Sequence, residues 1–306
     1  MTPAWTTDAA TDDPARAVRL TLFWGLEGVC LRTIAGGRVP TVTEGPLRRR
    51  LDEADLPVVA LDPGLFEGSV ASRASWLNEI DQLDEVAAFG ARFGSRLIRV
   101  GALSDPDGFD AEAATQALRQ VGERAERLGL TLAVRNEAGT AIATGAALAG
   151  LLAAVDHPAV GADWRPADAL MSGEAPGEGL AALGAANVPV RCVGVRDGWQ
   201  EADGWGEAEV GAGTLGWDPH LGALVEATRL VDPDFPAQLP AVNLALQAVD
   251  HLVRTPGPAA SPGIIRLPFV ATHKNVATEA AHFPPPFLAR KSWLAMTTWS
   301  TSEVPS

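Results

Sequence analysis

Short apolar runs alternate with longer amphipathic stretches along most of the chain, and this alternation constrains the fold more than any other feature. The runs are GVCLR (28–32), PVVAL (57–61), RLIRVGA (96–102), LTLAVR (130–135), VGADW (160–164) and VRCVGV (190–195). Most are apolar on both faces, as expected of parallel strands covered by helices outside and by packed layers inside. The stretches between them start and stop on helix signals. Asp13 and Pro14 open a helix over 14–24 that Gly25 ends; Gly94 stops one over 72–93; Gly129 ends one over 110–128; Asp218 and Pro219 open one over 218–230. Helices over 46–54, 144–155, 177–186 and 241–254 complete the series. The pattern predicts an α/β chain folded as a (β/α)8 barrel, favoured over an open sheet. No GxGxxG follows the first strand, so a dinucleotide fold has no support.

The two ends fit less well. A first strand has to precede Pro14, where PAWT (3–6) is the available segment, so that strand is expected to be degenerate or missing; a last strand is placed at 235–239. A barrel takes roughly 250 residues, and this chain has 306. Residues 1–254 are therefore assigned to the barrel and 255–306, with PGPAASPG and FPPPF, to a Pro/Gly-rich C-terminal arm. Its aromatic residues imply packing, either on its own barrel or on a second subunit as a homodimer.

Charge narrows the partners. A formal net charge of −14 argues against nucleic acid and anionic membranes, which need a basic face. Lys occurs only at Lys274 and Lys291, a bias that suits a GC-rich genome or a salt-adapted acidic surface. Cys30 and Cys192 lie in apolar runs with no metal-binding spacing, which reads as buried small side chains in a reducing compartment. Residues 1–13 lack the basic start and apolar stretch of a signal peptide, and no run of about 18 apolar residues occurs. A cytoplasmic protein is expected.

From residue 25 to residue 230 the order of motifs resembles the xylose-isomerase-like family of sugar isomerases and epimerases. The matching stretches are GLEGVCLRT, LPVVALDPGLF, AAFGARFGSRLIRVGAL, LGLTLAVRNEAGTAIAT, VGADWRPADALMSGEAP, VRCVGVRDG and GAGTLGWDPHLGAL. The resemblance implies a TIM barrel with its site at the C-terminal ends of the strands. It also implies a divalent metal held by Glu, Asp, His and a second Glu near the late strand ends, polarising a sugar carbonyl or hydroxyl while a carboxylate moves the proton. Aligned on those positions, this chain carries Arg135 and Asn136 for Glu-Asn, Arg165 to Asp168 for the motif after the sixth strand, and Gly194 to Asp197 for His-x-Lys-Asp. Near the eighth strand the polar candidate is Gln238. None of His157, His220, His251, His273 or His282 falls at an expected strand end. A guanidinium does not ligate a cation and stays charged at ordinary pH, so the metal ligands read as lost.

Arginine recurs at the expected strand ends: Arg32, Arg99, Arg135, Arg165 and Arg196. Three readings follow. In the first, these residues bind a small-molecule anion or sugar phosphate, without a metal or other cofactor. In the second, they pair with Glu137, Asp163, Asp168 and Asp197, fill the space, and leave a noncatalytic structural or interaction protein. In the third, Glu137, Asp163 and Asp168 form a shifted catalytic site for Mg or Mn in a metal-dependent isomerase. The acidic loop over 198–213 is a candidate lid or a solvated connection.

Overall fold

The computed structural model describes residues 2–9, 11–23, 25–104, 108–201, 204–208, 213–217 and 241–243. Eight parallel strands close into a barrel. They are β1 (Thr2–Thr6), β2 (Gly28–Leu31), β3 (Val58–Leu61), β4 (Leu97–Val100), β5 (Thr131–Arg135), β6 (Val160–Trp164), β7 (Val190–Gly194) and β8 (Ala241–Asn243). Each pairs with its neighbours in chain order, and β1 closes the ring between β2 and β8. All residues of β2 and β6 are buried, which fits strands covered on both faces.

The connecting helices are α1 (Pro14–Phe23), α2 (Glu44–Ala54), α3 (Arg73–Phe93), α4 (Ala111–Arg127), α5 (Gly145–Val155), α6 (Pro166–Met171) and α7 (Pro176–Ala185). In α4 the Asp110 carboxylate accepts from the N–H groups of Glu112 and Ala113, covering orphan donors of the first turn. Its buried residues Ala114, Ala117, Leu118, Val121 and Ala125 recur at helical spacing, so one stripe faces the core. Gly94 ends α3 at φ 70, a left-handed conformation that glycine adopts without a Cβ clash. Neighbouring helices pack in sequence, α1 on α2, α3 on α4, α4 on α5 and α5 on α7.

Several expectations are corrected. The first strand is neither degenerate nor missing: Thr2–Thr6 pairs on both sides. Residues 241–243 form the eighth strand and do not begin a helix; 235–239 and the expected helix over 218–230 lie outside the described residues. Helix α2 starts at Glu44, ahead of the proline taken as its opening. Residues 198–213 are not a plain loop: Asp197–Glu201 and Gly204–Ala208 form an antiparallel hairpin. The helix α6 and a second hairpin, Thr33–Ile34 with Gly37–Arg38, were not anticipated. The arm, 255–306, lies outside the described residues.

Candidate functional site

The barrel interior holds a buried ion pair. Arg99, on β4, sends its guanidinium across to β6, where Nε and Nη2 lie 2.9 and 2.8 Å from Asp163 Oδ2. Its Nη1 donates to Thr6 Oγ1 of β1 at 3.3 Å and lies 3.8 Å from Cys30 Sγ of β2. One side chain thus ties β4 to β1, β2 and β6 through the middle of the barrel, where branched aliphatic residues are usual. Burial alone would raise the Asp163 carboxyl, but Arg99, with Arg165 and Arg135, holds it below the ordinary range. Burial opposes the charge on Arg99, and Asp163 outweighs it, so this guanidinium is held more firmly protonated than usual. Cys192, in register with Asp163, has its thiol pushed well up by burial and then by that carboxylate.

One level nearer the mouth, Arg135 ends β5. Its guanidinium pairs with Glu67, with Asp62 Oδ2 at 3.5 Å and with Glu137 Oε2 at 3.3 Å. Asp62 directly follows β3 and is buried; Arg38, from the Thr33–Arg38 hairpin, reaches its Oδ1 at 3.2 Å. Burial would raise the Asp62 carboxyl, and Arg99 and Arg135 bring it below its ordinary value. Arg32, at the end of β2, is held by Asp8 with Nε 2.7 Å from Oδ1.

Arg165, just past β6, differs. Asn136 grips its backbone, accepting from Arg165 N–H at 2.8 Å and donating to its carbonyl at 2.9 Å. The side chain lies across Gly194 at the end of β7, where a Cβ would stand 3.0 Å from Arg165 Cγ. Its guanidinium makes one ion pair, Nε to Asp163 Oδ2 at 3.6 Å, on an oxygen that Arg99 already uses, and no hydrogen bond to any described residue. The side chain keeps 21% of its exposure. Burial destabilises its charge; Asp163 partly offsets this, while Arg99 and Arg135 repel, and the balance lowers its basicity.

The remaining expected residues serve the backbone or the surface. Asp168, in the first turn of α6, accepts from Ala138 N–H at 3.1 Å. Asp197 accepts from the N–H groups of Gly198, Gly213 and Leu215, anchoring the hairpin. Arg196 lies over the Trp205 ring, 5.9 Å from its centroid. Glu137 is about half exposed and turned to Arg135. Glu137, Asp163 and Asp168 therefore face different hydrogen-bonding partners and form no metal-holding group among the described residues. Sequence reasoning missed Asp8, Arg38, Asp62 and Glu67. A charged residue directly after the apolar run of β3 was a usable signal for Asp62.

With eight parallel strands and this mouth described, comparison with known proteins places the chain. The sequence pattern described as xylose isomerase-like TIM barrel matches residues 24–230. The chain belongs to that family. No functionally curated protein matches it in sequence. Among solved structures it is similar to a 3-keto-D-glucoside 4-epimerase from E. coli, 16% identical at TM-score 0.60, over 79% of this chain and 90% of that one. It is also similar to a probable 3-DHS dehydratase from Bacillus anthracis, 15% identical at TM-score 0.61, over 82% and 96%. A xylose isomerase-like TIM barrel protein from Mycobacterium smegmatis in complex with magnesium is 13% identical at TM-score 0.56, over 74% and 80%. These likenesses establish the fold.

The divalent metal implied by the xylose isomerase-like family finds a poor donor set here. No group of three His, Cys, Asp or Glu able to hold a metal ion occurs among the described residues. The acids nearby, Asp62, Glu67, Glu137 and Asp163, all face guanidinium groups. The described residues do not fit the metal. No described helix is long and apolar enough to cross a membrane.

Proposed function

We propose that this barrel is a sugar isomerase/epimerase-like protein whose divalent-metal site has been dismantled and whose mouth takes a small anionic ligand through arginine. The observation that carries this reading is Arg165. The family resemblance would put a carboxylate ligand at its position, and its guanidinium makes no hydrogen bond to a described residue while Arg32, Arg99 and Arg135 are spent on acids. An anion there gains charge-assisted hydrogen bonds and relieves the repulsion from Arg99 and Arg135.

Thermal melts with inorganic phosphate, glucose 6-phosphate and glucuronate, against glucose as neutral control, test it. A charged ligand at a hundredfold excess over Kd should raise Tm by roughly 5 °C or more, and Arg165→Ala should abolish the shift. Equal shifts with glucose would contradict it. The second reading, a noncatalytic barrel whose arginines are purely internal ties, is favoured by the Arg99–Asp163 pair crossing the interior. It expects no shift with any of these compounds.

A further inference from the structure

We infer that the Arg165 site is specific for a single carboxylate, as on a sugar acid, over a phosphate, and that Asn136 and Gly194 are its positioning residues. The inference rests on the anion-binding reading and makes it narrower.

The first support is the number of donors on offer. Arg165 presents one planar fork, Nη1 and Nη2, with no hydrogen bond to described residues. The guanidinium groups beside it are committed, Arg99 to Asp163 and Arg135 to Asp62, Glu67 and Glu137. One fork matches one carboxylate edge in a bidentate pair. A phosphate carries a second charge and a third oxygen, which call for further donors.

The second support is the sign of the surroundings. Asp163 and Asp168 act on Arg165 at close enough range to affect its charge, and Asp62 feels Arg165 in turn. Arg99 and Arg135 oppose these acids, yet they are already balanced by their own partners. A monoanion therefore adds less negative charge beside the buried carboxylates than a dianion does, and its repulsion is the smaller of the two.

The third support is that the fork is held in place before any ligand arrives. Asn136 is fully buried and fixes both backbone polar groups of Arg165, and its Nδ2 also reaches the Ala143 carbonyl at 3.0 Å. Gly194 supplies the room through which the Arg165 stem passes; any larger residue on β7 competes for it. Preorganisation of this kind spares the ordering entropy of a long side chain.

Calorimetric titration of the full chain with glucuronate, glucose 6-phosphate and glucose tests the inference. Glucuronate should bind at least about 10-fold more tightly than either competitor. Arg165→Lys keeps the charge and loses the fork, and should weaken glucuronate about 10- to 100-fold. Gly194→Val should weaken it comparably while the melt shows a folded protein; if that variant does not fold, Gly194→Ala applies a smaller push on the same Cγ. Tighter binding of glucose 6-phosphate would overturn the carboxylate assignment and leave the anion reading standing. Glucose binding as well as glucuronate, or no binding of any of the three, would overturn both. Unchanged glucuronate affinity in the Gly194 variants would remove the positioning role.

Discussion

A buried arginine inside a barrel is costly unless its partner is well placed, and Arg99 and Asp163 show how that cost is met. Asp163 is fully buried and meets two nitrogens of Arg99 on one oxygen, Oδ2. Removing one member strands the other charge in the interior. Asp163→Ala should therefore cost about 3–5 kcal/mol in urea unfolding, whereas the paired replacement Arg99→Met with Asp163→Leu should come within about 1 kcal/mol of the parent or exceed it. Equal losses in the single and the paired variants would show that the pair is not acting as a unit. The residues of this pair were legible in the sequence, but their pairing was not. Asp163 meets Arg165, its near neighbour in sequence, but its stronger partner lies on β4, 64 residues away. Arg135 meets Glu137, two residues on, and also takes Asp62 and Glu67, from 73 and 68 residues back. Such contacts depend on barrel closure, which local spacing does not encode.

At the scale of elements, the strands most visible in the sequence are those buried on both faces, such as Val160–Trp164, whose bounds agree with the apolar run. Helix starts were visible where a capping side chain is present, as at Asp110 and Thr144. Thr2–Thr6 was underrated because it is short and partly polar; its strand character comes from neighbours on both sides. The Asp197–Ala208 hairpin was hidden by its glycines and acids, and what fixes it is Asp197 accepting from three backbone N–H groups across residues 198–215. Asp197→Ala should thus destabilise the protein by about 1–3 kcal/mol and speed amide exchange across the hairpin more than across β5 or β6. Uniform exchange changes would assign Asp197 to the global core instead of to this element.

For the whole molecule, the closed ring of parallel strands brings the ends of β1 to β7 to one mouth, where Arg135 faces Asp62, Glu67 and Glu137 and Arg165 faces Asp163. The fold was legible because periodicity and motif order survive divergence. Arg135 and Arg165 were legible because each directly ends or follows an apolar run. What the chain does with that mouth depends on the sign of the charge it accepts. Metal analysis of the purified protein, with parallel thermal melts in Mg, Mn and Co, reads that sign most directly. Metal well below one equivalent per chain and a Tm unmoved by any of the three ions is the expected result. One equivalent of Mn or Co per chain, with a clear rise in Tm, would contradict the dismantled site and restore a metal-dependent isomerase.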